Sequence, residues 1–240
     1  TPIKSSAASD VYKRQGYYYL FLAYGSLSVE YNTRVCRSRN IDGPYVDIHG
    51  NSAMGSAQLY PILTAPYRFD NSYGWVGISH CGIFDDGAGN WFYTSQGRFP
   101  VNVGGNEYSN AIMMGHVRSI RWDANGWPLV MPERYGAVPQ APITENEIAG
   151  DWEHLALTNS TGTQRTSETM TYDLDTHKIT SGSWKNATWT FDAATQTITT
   201  SAGVVLYLQR EVDWEASPRT HKIVYAAQGN QKTYWGKKLQ

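Results

Sequence analysis

Two histidines in apolar surroundings are the first candidates for chemistry in this sequence. His80 stands in GWVGISHCGIF and His116 in MMGHVRS. A histidine in such a run is more often a core residue with a hydrogen bond than a site residue at the inner end of a strand. Ser79 and Cys81 flank His80, but neighbouring residues of a strand point to opposite faces. A cooperating cysteine–histidine nucleophile pair is therefore not expected.

Carboxylates are the second group of candidates. Asp85 and Asp86 lie in DDGAGN between two aromatic-rich runs, where aspartate usually shapes a hairpin turn. Asp173 and Asp175 in YDLDTHK lack the glycine and the distal glutamate of a calcium loop. Glu30 in SVEYNTRV has the commoner role of a charge in a loop or at a strand edge. The sequence also contains no Gly-x-Ser-x-Gly elbow and no paired-cysteine metal pattern.

Aromatic side chains are the third group, because their rings can stack on sugars. Five of them are candidates for such a surface: Tyr24, Tyr31, Trp75, Trp91 and Tyr108. Packing in the core or in hairpins is the commoner role, and we expect it for most of the five.

The composition limits the classes of function. The chain has 240 residues, a formal net charge of −1 and 13% aromatic residues. A charge near zero argues against nucleic acid or an anionic membrane as the main partner. Cys36 and Cys81 could form at most one disulfide, so cysteine usage does not indicate a compartment. No run is long and apolar enough to span a bilayer, and the first residues lack the apolar segment of a secretory signal.

Strands must position these residues, because the chain from Gly16 onward is a series of short apolar runs separated by turn signals. YYYLFLAY, WFYTSQGR and WPLVMP are three such runs, and DANG before the last is a tight-turn sequence. SNAIMMGHVRSIRW allows a helical interpretation, but its β-branched and aromatic residues beside a turn favour a strand. The sequence therefore predicts an all-β fold without a long helix.

A change of composition near 139–147 divides the chain. VPQAPITENE is polar and contains prolines, which is typical of a linker between domains. After it the strands are short, evenly spaced and rich in threonine, which predicts a small antiparallel barrel or sandwich. We therefore expect a first domain over 16–140, a linker over 141–147 and a second domain over 148–240.

Three runs resemble glycoside hydrolase family 43, and in particular its two-domain endo-α-1,5-L-arabinanases. They are GYYYLFLAYGSLSVEYNTRVCRSRNIDGPYVD, GWVGISHCGIFDDGAGNWFYTSQGR and HVRSIRWDANGWPLVMPERY. The resemblance covers about 16–135, and the tail from about Ile148 is similar to the small β-barrel of those enzymes. It implies a partial five-bladed β-propeller, formed by the C-terminal blades, followed by a small antiparallel β-barrel. Because the family also contains xylosidases and arabinofuranosidases, the resemblance identifies the family more specifically than the polysaccharide that is cleaved.

The resemblance also implies a reaction and site residues. The family hydrolyses with inversion: one carboxylate acts as general base on water, a second as general acid, and a third tunes the acid's pKa. The histidine in the motif matching ISHCGIF, here His80, is implied to lie in the central channel beside a cation, usually calcium, with waters completing its shell. Gln96 in TSQGR and Tyr24 on the opening strand are implied to line the substrate cleft.

The stretch before the first strand departs from the family. The family's general acid is a glutamate in a Glu-Ala-Pro-like motif shortly before GYYYLF, but SSAASDVYKRQ contains no glutamate. DVYKRQ is also the in-frame translation of the transposon-end adapter used in sequencing-library preparation. We therefore expect Thr1 to Gln15 to be an adapter or assembly remnant, with the first blades and all catalytic carboxylates missing. A natural but unusual leader is the alternative.

Six carboxylates of the propeller part match no catalytic motif of the family: Glu30, Asp47, Asp70, Asp85, Asp86 and Glu107. We therefore expect the chain itself to lack hydrolase activity, and the open strand edges of an incomplete propeller to make it poorly soluble. A non-catalytic carbohydrate-binding protein is the alternative function, and a structural β-protein is the third. The implied partner is plant cell-wall arabinan or arabino-oligosaccharides, met by a monomer that is secreted or exported to the cell surface or periplasm.

Overall fold

The computed structural model describes residues 10–55, 58–69, 72–158 and 164–239. Within these ranges the chain is all-β, as the sequence predicts, and its helical structure consists of two three-residue 3-10 turns, Ser109–Ala111 and Glu145–Glu147. No helix in the described part is long and apolar enough to cross a membrane.

Strands β1 to β9 form the first half of the molecule. Their bounds are β1 Asp10–Arg14, β2 Tyr17–Tyr24, β3 Asn32–Ser38, β4 Ile62–Thr64, β5 Tyr67–Arg68, β6 Gly82–Asp85, β7 Trp91–Arg98, β8 Met113–Trp122 and β9 Pro128–Val130. Strands β10 to β18 form the second half. Their bounds are β10 Gly150–Leu157, β11 Arg165–Thr166, β12 Glu168–Asp173, β13 Lys178–Ile179, β14 Trp189–Asp192, β15 Thr197–Thr200, β16 Val205–Asp213, β17 Thr220–Gly229 and β18 Lys232–Lys238.

The first half contains two four-stranded antiparallel sheets, in the orders β1-β2-β3-β4 and β6-β7-β8-β9. Alternate residues of the two sheets share one core, in which Tyr19, Phe21 and Val35 of the first sheet meet Tyr93 and Ile120 of the second. Four-stranded antiparallel sheets packed in this way are the units of β-propellers. The described residues supply two such units, so the five-blade count stays a prediction.

Local turn chemistry closes the hairpins where the sequence predicts them. In the β6–β7 turn the Asp86 carboxylate accepts hydrogen bonds from the backbone N–H groups of Ala88 (2.8 Å) and Asn90 (3.0 Å). Asp123 does the same before β9, accepting from the N–H groups of Asn125 and Trp127. The strand interpretation of the run around His116 is also confirmed, because that run is β8.

A strand also forms where the sequence predicts no element. Asp10–Arg14 is β1 and pairs in antiparallel register with β2, with Tyr12 opposite Tyr19. The Tyr12 ring meets the edge of Trp91 at 4.8 Å, and the Arg14 guanidinium lies 4.2 Å from the Trp122 ring. Alternating side chains therefore let this stretch complete the first sheet. The adapter interpretation of 1–15 stays a prediction, and 1–9 lie outside the described residues.

Eight of the nine strands of the second half form one antiparallel sheet in the order β13-β12-β10-β18-β17-β16-β15-β14. Its two edges meet, since the Trp189 N–H donates to the His177 carbonyl (2.9 Å) and Lys178 bridges Thr188, so the sheet is a nearly closed barrel. The barrel predicted from the threonine-rich tail is therefore present. Fully buried aromatic rings fill its interior, namely Trp152, Tyr172, Trp189 and Tyr225.

The barrel packs directly on the outer strands of both sheets. Trp235 of β18 is buried against the first half, and its indole N–H donates to the Val130 carbonyl of β9 (2.8 Å). Strand β11 pairs in parallel with β5, with Arg165 opposite Tyr67. The stretch 141–147 also packs on the barrel, because Ile143 is buried in the barrel core. The domain bounds drawn from the sequence stay predictions.

Candidate functional site

His80 lies in a connection and not inside a strand. The run around it was expected to form one strand, but Trp75 and Val76 make only isolated bridges and β6 begins at Gly82. His80 itself is exposed and has a positive φ of 59°. The core interpretation of His80 is therefore wrong, and its side chain is accessible at the start of the edge strand β6.

Buried hydroxyl groups fix the backbone beside His80. Ser79 Oγ lies 2.8 Å from Thr33 Oγ1 and donates to the Asn32 carbonyl at 3.1 Å. Thr33 Oγ1 lies 2.7 Å from the Tyr93 hydroxyl, which burial keeps protonated by raising its pKa. Because each of these polar groups is satisfied, the network holds the connection in one position against β3 and β7.

Gln96 lies next to the same connection, at the end of β7. Its backbone N–H donates to the Ser79 carbonyl at 3.1 Å, and its side-chain Nε2 donates to the Gly77 carbonyl at 3.3 Å. The Gln96 side chain is half-buried. The hydrogen bond between the Gln96 N–H and the Ser79 carbonyl thus places the Gln96 backbone beside the residue that precedes His80.

Tyr24 lies at the end of β2 and joins the same network through Asn32. The Asn32 Nδ2 donates to the Tyr24 carbonyl at 3.1 Å, while the Asn32 carbonyl accepts from Ser79. The Arg34 guanidinium lies 4.7 Å from the Tyr24 ring centroid. Burial raises the pKa of Tyr24, so the phenol stays a neutral hydrogen-bonding group. The backbones of the three predicted site residues, Tyr24, His80 and Gln96, therefore lie at one end of the two sheets.

Two loops extend from this end, and we call residues 25–31 and 99–112 together the rim. Asn110 joins them, because its Nδ2 donates to the Ser28 carbonyl (3.0 Å) and to the Phe99 carbonyl (2.9 Å). Arg98 Nη1 in turn donates to the Asn110 carbonyl at 2.9 Å. Sequence reasoning missed Asn32 and Asn110, since an asparagine in a polar loop gives no signal of which loop it will bind.

The other predicted residues separate into core and surface. His116 is buried with its ring edge-on to Trp75 at 4.3 Å, and burial lowers its pKa to about 2. Neither ring nitrogen of His116 has a hydrogen-bond partner among the described residues. Tyr31 and Trp75 are buried, and Trp91 packs against Trp122. Tyr108, on the rim, is 70% exposed.

The carboxylates of the first half are engaged in loop structure. Asp85 and Asp86 bind backbone N–H groups of their own turn. Glu30 accepts from the Ser26 N–H within the rim at 3.2 Å. Asp47 is buried and accepts from the N–H groups of His49, Asn51 and Tyr60. Glu107 is exposed on the rim, and Asp70 lies outside the described residues. These contacts fit the turn and loop roles expected for them.

The most perturbed carboxyl groups lie at the junction with the barrel. Burial raises the pKa of Glu133 to about 8 and that of Glu211 to about 7. Lys237 Nζ lies 3.2 Å from Glu133, 3.1 Å from Asp213 and 4.0 Å from Glu153. A general acid needs a raised pKa and access to substrate. Glu133 and Glu211 have raised pKa values but are buried away from any substrate, so their role is structural.

The described residues do not by themselves fit a calcium site at His80. Among them, the group of His, Cys, Asp and Glu side chains close enough to share an ion consists of Glu133, Asp213 and Glu215. The Lys237 ammonium already lies among those carboxylates. His80 alone offers one imidazole nitrogen, whereas calcium takes six to eight oxygen ligands.

A cleft of about 770 Å³ lies away from the predicted site, between β7–β8 and the barrel. Most of its hydrogen-bonding side chains already have partners, although the Trp122 indole N–H has none among the described residues. Gln196 accepts from the Ile143 N–H (2.6 Å) and donates to the Ala193 carbonyl (2.9 Å), and Arg121 donates to the Thr195 and Leu208 carbonyls. The cleft therefore offers a ligand few free polar groups, and the end bearing Tyr24, His80 and Gln96 is the better candidate.

Two packed four-stranded sheets with a barrel on their outer strands are typical of a β-propeller protein followed by a β-barrel. Residues 1–128 match the family described as glycosyl hydrolases family 43, and residues 132–236 match its C-terminal lipocalin-like domain. The chain belongs to glycosyl hydrolases family 43.

Similar proteins agree with this assignment. The chain is 29% identical over 157 residues to the extracellular endo-α-(1→5)-L-arabinanase 2 of Bacillus subtilis, an alignment covering 57% of this chain and 32% of the relative. It is 30% identical over 156 residues to the extracellular endo-α-(1→5)-L-arabinanase of Thermotoga petrophila, covering 58% and 32%. The chain thus spans about a third of the length of the curated relatives it matches.

Solved structures show the same fold. The endo-1,5-α-L-arabinanase of Thermotoga petrophila superposes with a TM-score of 0.81 and 22% identity, covering 97% of this chain and 55% of that one. The family 43 YxiA protein of Bacillus licheniformis superposes with a TM-score of 0.80 and 23% identity, covering 97% and 55%. Both likenesses include the barrel as well as the two sheets, since nearly the whole chain is covered.

Proposed function

We propose that this chain is part of an extracellular family 43 enzyme that hydrolyses α-1,5-L-arabinan, and that it supplies one wall of the substrate cleft. The observation that carries the proposal is the convergence of Tyr24, His80 and Gln96 on one end of the two sheets. The shared network of Asn32 and Ser79 ties all three to the same backbone. A phenol, an imidazole and an amide held in place can bind sugar hydroxyls, which is the chemistry of a glycan cleft.

Within this proposal the wall binds and orients the glycan. Tyr24 offers a neutral phenol packed against Arg34, and Gln96 offers a carboxamide whose backbone is fixed to Ser79. Hydrolysis with inversion requires two carboxyl groups about 6.5–9.5 Å apart, with a water between one of them and the sugar. The raised-pKa carboxyls Glu133 and Glu211 are enclosed at the barrel junction. We therefore expect the 240-residue chain to bind arabinan without hydrolysing it.

The calcium ion beside His80 is part of the same proposal. His80 is accessible, but the other ligands would have to come from water or from groups outside the described residues. A rise in the thermal midpoint with added calcium, lost in His80→Ala, would support the ion.

Affinity electrophoresis in gels containing linear α-1,5-arabinan tests the binding, and a reducing-sugar assay on the same protein tests hydrolysis. We expect retardation by arabinan, not by a control gel, and no release of reducing ends. The double variant Tyr24→Ala/Gln96→Ala should migrate as in the control gel, because both substitutions remove hydroxyl-binding groups of the wall. Hydrolysis by the wild-type chain would contradict the expected lack of activity, and unretarded migration would contradict the binding.

The barrel interior is filled by side chains, which argues against a ligand bound inside it. Trp152, Tyr172, Trp189 and Tyr225 occupy the space that a lipocalin uses for a small molecule. The alternative of a non-catalytic carbohydrate-binding protein therefore rests on the same wall as the enzyme proposal. Sequencing the source gene across the start of GYYYLF separates the two, because an enzyme of this family would carry a Glu-Ala-Pro-like motif shortly before that strand.

A further inference from the structure

Tyr108 is set apart from the other aromatic candidates by its exposure. Tyr31 and Trp75 are buried, Tyr24 and Trp91 are half-buried, and the Tyr108 side chain is 70% exposed. Exposing a large aromatic ring forgoes the free energy that its burial would contribute. A single exposed ring needs no explanation, but one beside a candidate binding site and among other exposed apolar side chains is a candidate for a ligand contact.

The backbone that carries Tyr108 is held in place although its ring is not covered. The Tyr108 N–H donates to Asn106 Oδ1 at 2.9 Å. The next residue, Ser109, is buried; its Oγ donates to the Pro100 carbonyl at 2.5 Å and accepts from the Val103 N–H at 3.1 Å. Because the loop is already ordered, a ligand that stacks on Tyr108 pays little entropy for ordering it.

The rim also places Tyr108 on the same end of the sheets as the proposed wall. Asn110, two residues further on, joins both rim loops, and Arg98 at the end of β7 holds Asn110. Apolar side chains of both loops are exposed there, including Leu27 and Val29 from one loop and Ile112 from the other. The rim is thus an apolar continuation of the wall that contains Tyr24 and Gln96.

We propose that Tyr108 is a sugar-binding residue that stacks on a pentose ring of an α-1,5-linked arabino-oligosaccharide beyond the central channel. This rests on the proposed function, since it adds a distal contact to the same cleft. The C–H face of a sugar packs on an aromatic ring and on apolar side chains, while its hydroxyls remain in water. Exposed Asn102 and Glu107 on the same loop offer those hydroxyls further polar neighbours. A distal contact makes affinity depend on the length of the oligosaccharide.

Isothermal titration of the full chain with arabinohexaose and with arabinobiose tests the inference. Tyr108→Ala should weaken hexaose binding about threefold to tenfold, and Tyr108→Phe should restore it, because the stacking face is retained. Biose binding should not change, because a short ligand does not reach the rim. Tyr73→Ala is the matched control: Tyr73 is 60% exposed on another loop. The thermal midpoints of all variants should match the wild type, since exposed rings contribute little to stability.

The outcomes separate the two proposals. If the wild-type chain binds hexaose and Tyr108→Ala binds it equally well, the role of Tyr108 is overturned and the proposed function stands. If Tyr108→Ala weakens hexaose and biose equally, the distal position is wrong. If the wild-type chain binds neither sugar while folding normally, both proposals fall.

Discussion

Replacing Lys237 by methionine should strongly destabilise the junction between the sheets and the barrel. The Lys237 side chain is 5% exposed, and its ammonium lies 3.2 Å from Glu133 Oε1 and 3.1 Å from Asp213 Oδ1. Glu153 Oε2 is a third partner at 4.0 Å. Surrounding carboxylates raise the pKa of Lys237, so the ammonium stays charged at neutral pH. One positive charge thus lies beside the Asp213 and Glu153 carboxylates and the Glu133 carboxyl group, whose pKa is about 8, in a place from which water is nearly excluded.

The magnitude follows from what the substitution leaves behind. Methionine has a similar volume, so the cost is not a cavity but the Asp213 and Glu153 carboxylates left without their counter-charge. Removing one partner of a buried ion pair costs about 3–5 kcal/mol. A typical domain is stable by only about 5–15 kcal/mol, so the loss is a large fraction of the total.

Urea denaturation at pH 7, followed by tryptophan fluorescence, measures this loss. Glu145→Gln is the control, because it breaks the exposed His177–Glu145 pair, whose side chains are 44% and 43% exposed. An exposed pair contributes at most about 1 kcal/mol. The reasoning is refuted if Lys237→Met unfolds within about 1 kcal/mol of the wild type, because the carboxyls would then be neutral or hydrated without Lys237.

Two further predictions concern the pH dependence of stability and the close contact between Gly77 and Leu27 of the rim. Burial raises the pKa of Glu133 from 4.5 to about 8, so the folded state binds this proton more tightly than the unfolded state. The resulting gain in stability is fully present below pH 4.5 and is lost as the pH rises through about 8. The urea midpoint should therefore fall between pH 5 and pH 8.5, and Glu133→Gln should flatten the decline; an unchanged slope in the variant would assign it to other groups. Gly77→Ala should destabilise the chain by about 1–2 kcal/mol because Gly77 has a φ of +64°. The substitution should also weaken arabinan binding, because the new Cβ would lie 2.8 Å from the carbonyl oxygen of Leu27 in the rim. Gly87→Ala, with a φ of +74° and open space around it, should show the conformational cost without the loss of binding, so equal binding by the two variants would contradict the close-approach argument.

Features that depend on neighbouring residues could be predicted from the sequence. The hairpin at Asp86 forms because aspartate, glycine and asparagine satisfy their own backbone within a few residues. The helical alternative for β8 failed because that strand is paired on both sides, with Trp91 opposite Ile120 and Val130 opposite the same residue. The position of His80 could not be predicted, since the start of β6 is set by its pairing with β7 and not by local composition.

Features that depend on distant residues gave no sequence signal. Lys237 and Glu133 meet across the junction between the two halves, and no local pattern in the sequence indicates that they pair. A lysine in TYWGKKL is ordinarily a solvated charge, and only the packing of β18 on the first half encloses it. The rim also depends on residues distant in sequence, because the Asn110 side chain of one loop donates to the Ser28 carbonyl of the other.

The topology separates the barrel from the candidate site. Strand β4 ends the first sheet and β9 ends the second, and these two strands contact β18 and β17 of the barrel. His80 precedes β6, which is the opposite edge strand of the second sheet. Because aromatic rings fill its interior, we expect the barrel to affect the site only through the sheets on which it packs. A weakened junction should therefore lower glycan affinity only when the sheets themselves loosen. Lys237→Met should lose arabinan binding in parallel with its loss of stability, whereas Tyr108→Ala should lose binding while its stability is unchanged.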